Sequence, residues 1–288
     1  MSKSIICDKL AKKEFIVAPG IHDMMTALLA NEAGFEIVYA SGYWLTASGY
    51  GLPDVGIATY TQMLDRVSTV ARTSNAAVIA DADTGYGGLL NVHHTVRGYE
   101  EANIPAIHIE DQEFPKKCGH TPGKRCVSKE EMVDKVKVAC EARRNPDTLI
   151  IARTDAYHVE GFNSAIERGE AYGEAGADIV FVEALTSEEE MRLACRDISK
   201  PMMVNMSDGG LTPSRTADEL EDMGYALAIF PDITALAANH AVMKALTLLK
   251  EQGTSNDPSV PLYNFNKFCK LIGFEDVWAF DKKWARDK

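Results

Sequence analysis

The sequence predicts an α/β chain folded as a (β/α)8 TIM barrel, with a helical arm added at its C-terminal end. Two observations carry this. Eight short apolar runs rich in β-branched residues alternate with longer amphipathic runs along the 288 residues, and about 250 residues is the usual size of such a barrel. Most of the eight runs are continuous rather than alternating, as parallel strands covered on both faces require. An open, doubly wound sheet is the alternative, but no GxGxxG follows the first strand run.

Taken in order, the strand runs fall at 15–18, 36–40, 77–80, 106–109, 149–152, 179–182, 202–205 and 226–230. Helical patterns at 60–73, 129–144, 165–175 and 217–223 lie between them. Gly34, Gly176 and Gly224 each close a helix just ahead of a strand, because glycine enters the left-handed conformation that ends helices. From Pro258 onward the sequence FNKFCKLIGFEDVWAFDKKW is amphipathic and aromatic, with no strand after it. Its apolar face must be buried against the barrel or another subunit. With no internal repeat or interdomain linker, the expected organisation is one domain: a catalytic barrel over 1–253 and its helical arm over 254–288.

The formal net charge of −12 argues against a nucleic-acid surface, which would need a basic patch. An anionic substrate would have to be drawn in by local cations, a metal or helix N-termini. The six cysteines form no CxxC pair, and the opening MSKSIICDKLAKKEF has too short an apolar run for a signal peptide. No window approaches the roughly 20 apolar residues of a membrane span. A soluble cytoplasmic protein that binds no nucleic acid and no membrane is expected.

Polar residues gather where strand runs end. Tyr39, Ser41, Gly42 and Tyr43 follow strand 2, and Asp81 and Asp83 follow strand 3. His108, Glu110 and Asp111 mark strand 4, Arg153 and Asp155 strand 5, Glu183 strand 6, and Asn205 with Ser207 strand 7. Unpaired buried charge is costly, so this pattern reads as a single polar pocket at the barrel mouth. Asp81 and Asp83, two apart on an extended strand, share a face. With Glu110 and Asp54 they are expected to supply oxygen ligands to Mg2+, which uses few carboxylates and keeps several waters. An N-cap and a buried ion pair with Arg153 is the alternative for these acids. Arg153 offers a bidentate fork to a substrate carboxylate, or a structural ion pair to Asp155 or Glu183.

Cys118 lies in the polar loop Lys116-Lys117-Cys118-Gly119-His120. Two cations and a histidine beside a thiol are expected to stabilise its thiolate, and His120 is read as functional with it. Cys7, Cys126, Cys140, Cys195 and Cys269 are read as plain buried cysteines, the default for this residue type.

The segments VAPGIHD (17–23), YASGY (39–43), GLPDVG (51–56), DADTGYG (81–87), IHIEDQ (107–112), KKCGHTPGK (116–124), IARTDA (151–156) and FVEA (181–184) resemble the isocitrate lyase/phosphoenolpyruvate mutase superfamily. The resemblance covers most of the first 210 residues in the family's order. It implies Mg2+, with Mn2+ as a substitute, bound chiefly by Asp83, with Asp54, Asp81 and Glu110 acting largely through water. It also implies a small dicarboxylate substrate held by Ser41, Gly42, Tyr43, Gly119, Arg153, Glu183 and Asn205. A dimer or tetramer that exchanges its last helix between subunits is implied as well.

KKCGH resembles the carbon–carbon lyase branch. There a base removes the 2-hydroxyl proton of a malate-like substrate, the C2–C3 bond breaks, and Cys118 protonates the departing carbon. Tyr39 or Tyr43, acidified by the metal, is the expected base, supported by His120, Lys117 or Glu183. Members acting on 2-methylisocitrate hold a third carboxylate with arginines near the positions of Leu236 and Phe265, and no arginine stands between Arg215 and Arg286 here. The expected activity is therefore a 2-alkylmalate lyase of the 2,3-dimethylmalate type. Methylisocitrate cleavage, carboxyphosphonoenolpyruvate-type phosphonomutase chemistry, oxaloacetate hydrolysis or decarboxylation, and a non-catalytic dicarboxylate-binding barrel follow in that order.

Overall fold

In the computed structural model, which describes residues 5–285, eight parallel strands close into a barrel. They are β1 (Ile16–Ile21), β2 (Ile37–Ala40), β3 (Ala77–Asp81), β4 (Ala106–Glu110), β5 (Leu149–Thr154), β6 (Ile179–Val182), β7 (Met202–Asn205) and β8 (Leu227–Phe230). Each pairs with its neighbours in sequence, and β1 closes the ring by pairing Ile16 with Leu227 and Pro19 with Phe230. Closure rules out the open-sheet alternative. The expected first strand, 15–18, is too short. Gly20 and Ile21 still pair with Tyr39 and Ala40 of β2, so the apolar run extends through Pro19-Gly20-Ile21. Gly20 is obligatory there, since a Cβ would fall 2.1 Å from the Pro231 carbonyl oxygen.

Side chains alternate between two layers, as strand geometry dictates. Ile16, Ile79, Ile151, Phe181 and Ile229 point into the barrel, where Ile6 of the helix Ile5–Lys12 joins them. That cluster also holds Ile37, Ala77, Ala106 and Leu149, the first residues of their strands. The N-terminal helix thus packs at the end of the barrel opposite the strand C-termini. Val38, Val78, Ile107 and Ile150 face outward, into a core shared with Val67 and Val96 of the surrounding helices. Gly34, Gly176 and Gly224 take positive φ, as helix closure by glycine predicts.

The chain divides into two compact units, Met1–Ala235 and Leu236–Lys288, and the division falls inside the helix Ile233–Gln252. The second unit continues with the helices Phe265–Leu271 and Phe274–Trp284. Cys269 is buried there, while Phe265, Trp278, Phe280 and Trp284 are exposed. Arg286, which bounds the arginine-free stretch, and residues 1–4 of the N-terminal run lie outside the described residues. Among the described residues no helix is long and apolar enough to cross a membrane.

Candidate active site

The strand ends bring most of the anticipated polar residues together. Asp81 ends β3, but Asp83 does not share an extended face with it. Asp83 takes a left-handed turn at φ 48°, because the chain must leave the barrel wall immediately after the strand. Two bonds hold the turn: the Asp83 N–H donates to Asp81 Oδ1 at 2.9 Å, and the Glu110 N–H donates to the Asp83 carbonyl at 2.9 Å. The two acids therefore meet through a tight turn rather than strand periodicity.

Lys116 is the cation among these acids. Its buried Nζ lies 2.5 Å from Asp54 Oδ2 and 2.9 Å from Asp83 Oδ1. Burial, with the charges of Asp81 and Asp54 adding to it against Lys116, raises the Asp83 carboxyl to about 7. Burial likewise pushes Glu110 well above the carboxylate range, against the pull of Arg153 and Lys116. Asp81, His108 and Glu110 each offer a ligand atom within 4.8 Å of the others, and Glu110 Oε1 is buried with no hydrogen-bond partner. Buried, under-satisfied carboxylate oxygens are what a hard divalent cation requires, so these residues fit one. His108 is the addition. Its ring is fully buried, and burial depresses its pKa to about 4, which leaves a neutral imidazole.

Arg153 is the hub of the opposite side. Its Nε and Nη2 donate to Asp155 at 2.8 and 3.0 Å, and its Nη1 lies 3.3 Å from both Glu110 Oε2 and Glu183 Oε2. The alternative partners weighed for Arg153, Asp155 and Glu183, are thus both engaged. Neither Asp81 nor Asp83 forms an ion pair with it. Burial works against the Asp155 carboxylate, yet Arg153 and Lys124 hold it well below the usual range. Asp111 belongs to the support rather than the pocket. It accepts bonds from Thr154 Oγ1 (2.7 Å), the Asp155 N–H (2.8 Å) and the Tyr172 hydroxyl (2.8 Å).

The Cys118 loop rests on this mouth. A Cβ at Gly119 would fall 2.3 Å from Arg153 Nη2 and 2.6 Å from Glu183 Cγ. His120 Nδ1 accepts from the Leu211 N–H at 3.1 Å, and its Nε2 lies 3.5 Å from Glu183 Oε1 and 3.3 Å from Asn205 Nδ2. The expected stabilisation of a Cys118 thiolate by flanking lysines is not what forms. Lys116 turns to Asp54 and Asp83, and Lys117 Nζ donates to the Gly123 carbonyl at 2.8 Å. Burial raises the Cys118 thiol above 9.0, against the opposing His120 N–H and Arg153. The thiol therefore carries its proton at neutral pH, as an acid would. Of the cysteines expected to be buried, only Cys269 is; Cys7, Cys126, Cys140 and Cys195 are half-buried, and burial raises the pKa of each of these four.

Five expected residues sit differently. Lys117 is exposed and faces its own loop. Gly42 and Tyr43 open the helix Gly42–Tyr50 rather than extend β2. The Gly42 N–H is taken by Asp81 Oδ2 at 3.3 Å, Tyr43 packs edge-on to Trp44, and Ser41 is the helix N-cap without a side-chain capping bond. Tyr39 is buried, with its hydroxyl 3.2 Å from His108 Nδ1. Burial and the charge of Asp81 push its phenol well above 10.0. Lys124 and Asp232 carry no role in the sequence reading. Asp232 accepts the Trp44 indole N–H at 2.6 Å and the Ser207 hydroxyl, and its place just past β8 was the available signal.

Fold and site define a β/α-barrel enzyme whose carboxylates, arginine and thiol converge at the C-terminal mouth. The sequence pattern of the family described as phosphoenolpyruvate phosphomutase matches residues 7–250, and the chain belongs to the phosphoenolpyruvate mutase/isocitrate lyase superfamily. It is similar to the 2,3-dimethylmalate lyase of Eubacterium barkeri, at 44% identity over 96% of each chain. It is also similar to the 2-methylisocitrate lyase of Aeropyrum pernix, at 44% identity over 98% of this chain and 91% of that one. Among solved structures, an oxaloacetate acetylhydrolase bound to 3,3-difluorooxalacetate matches with TM-score 0.92 at 32% identity, covering 99% and 98% of the two chains. A phosphonopyruvate hydrolase complex with oxalate and Mg2+ matches with TM-score 0.89 at 28% identity, covering 99% and 100%.

Proposed function

We propose that this carbon–carbon lyase cleaves a 2-alkylmalate, with 2,3-dimethylmalate giving pyruvate and propionate. The observation that carries the reading is the Cys118 loop seated through Gly119 on Arg153 and Glu183 beside the carboxylate cluster, where burial raises the thiol's pKa. Mg2+, replaceable by Mn2+, would be held by Asp81, Asp83, Glu110 and Asp54 and would supply Lewis-acid stabilisation of negative charge.

Arg153 orients one substrate carboxylate. Ser41, Gly42 and Tyr43, at a helix N-terminus suited to anions, hold the other, and Asn205 and Glu183 line the space between. A base takes the 2-hydroxyl proton, the C2–C3 electron pair moves onto the departing fragment, and the Cys118 S–H bond supplies the proton that quenches its carbon. The base is assigned to Tyr43 in preference to Tyr39, whose hydroxyl is buried against His108 Nδ1. His120 and Glu183 support it.

Sequence identity does not separate the dimethylmalate and methylisocitrate branches. The absence of any arginine from 216 to 285 supports the dimethylmalate branch, because a third carboxylate would lack a bidentate partner from that stretch. The six free cysteines suit a reducing cytoplasm. The exposed aromatic residues of 236–285 suit a homo-oligomer that exchanges its terminal helices between subunits.

The deciding experiment measures keto-acid release, with Mg2+ and after chelation, from 2,3-dimethylmalate, citramalate, 2-methylisocitrate, isocitrate, oxaloacetate and phosphonopyruvate. Chelator-sensitive pyruvate from an alkylmalate supports the reading. Preference for methylisocitrate or oxaloacetate would sink the branch assignment.

A further inference from the structure

We propose that Lys124 is the positioning residue that fastens the Cys118 loop to the barrel, by tying Gly119 to the carboxylate of Asp155. The Lys124 side chain is only 3% exposed, and its Nζ lies 3.1 Å from Asp155 Oδ1. The same ammonium donates to the Gly119 carbonyl. A buried ammonium is costly unless it is paired and hydrogen-bonded, so these two acceptors fix where residue 124 can sit.

Asp155 is itself immobile. It is fully buried, it accepts two bonds from Arg153, and its backbone N–H is held by Asp111. The loop's other arm is also pinned, because the Gln112 side chain bonds both the N–H and the carbonyl of Lys117, at 2.9 and 2.8 Å. Cys118 and Gly119 therefore hang between two anchors, one on the β4 side through Gln112 and one on the β5 side through Asp155. Asp155 Oδ1 receives both Lys124 Nζ and Arg153 Nη2. The loop and the arginine thus share one acceptor, and releasing the lysine frees the loop while leaving both Arg153 bonds to Asp155.

The test compares wild type, Lys124→Met and Lys124→Arg at a temperature where circular dichroism shows all three folded. The first readout needs no substrate: the rate at which iodoacetamide labels the Cys118 peptide, followed by mass spectrometry to separate it from the other cysteines. Lys124→Met should label about tenfold faster, since a loop that has lost a charge-assisted bond opens more often. Lys124→Arg, which keeps a cation, should restore slow labelling. The second readout is turnover of an alkylmalate, which rests on the proposed function. Lys124→Met should lower kcat about 10²-fold through misplacement of the thiol, with KM nearly unchanged. Unchanged labelling in folded Lys124→Met would overturn the proposal. Faster labelling in a protein that turns over no alkylmalate at all would keep the anchor and discard the substrate assignment.

Discussion

The Cβ that Gly119 lacks would fall 2.3 Å from Arg153 Nη2, so the loop bearing Cys118 can rest on Arg153 only because residue 119 has no side chain. Gly119→Ala should force the two apart. We expect turnover to fall about 10²-fold, while urea unfolding shifts by no more than about 1 kcal/mol, since the clash is local to a loop. Full turnover in the variant would mean that the loop need not close this far.

Cys118→Ser should reduce turnover by about 10²- to 10⁴-fold and leave metal binding, measured by calorimetry, nearly intact. Because burial raises the thiol above 9.0, the acid stays protonated through neutral pH. Activity should hold up to that value and fall only at higher pH, as the proton is lost. A thiol-dependent loss of activity near pH 7 would contradict the burial argument.

Asp83→Asn removes a charge from the acid cluster while keeping its shape. Metal affinity should weaken by at least about tenfold, and chelation of the wild type should abolish keto-acid release until Mg2+ or Mn2+ is restored. Turnover that persists in excess chelator would exclude a metal from the reaction.

Asp111→Ala tests the support beneath the mouth. The change leaves Arg168, 3.3 Å from Asp111 Oδ2 and only 7% exposed at its side chain, short of a buried partner. A loss of about 3–5 kcal/mol in denaturant unfolding is expected. A shift below about 1 kcal/mol would place Asp111 outside the structural core.

Truncation after Gly253 removes the helices Phe265–Leu271 and Phe274–Trp284. If these helices cross between subunits, sedimentation should show a smaller particle with reduced activity. A truncated protein of native subunit number and full activity would show that the arm plays no part in assembly.

Much of the site could be read in advance, because strand ends of a barrel converge on one mouth. Asp81, Glu110, Arg153, Glu183 and Asn205 all stand at such ends, and the structure gathers them there. Asp83 joins them by a left-handed turn that no periodicity announces. Lys116 and Lys117 are adjacent in sequence, yet one is buried between Asp54 and Asp83 and the other faces its own loop. That divergence removed the argument for an acidic thiol.

The sequence by itself determined the eight-unit alternation, the closing arm and the set of polar groups brought to the mouth. Each follows from local periodicity and from the cost of burying unpaired charge inside a strand. Only the tertiary structure decided which charges neutralise which: Arg153 with Asp155, Lys116 with Asp54, and Lys124 drawn down to Asp155. Such choices are made at separations of about 3 Å, where charge-assisted bonds act. They join residues distant in the chain, so they exist only after the barrel has closed.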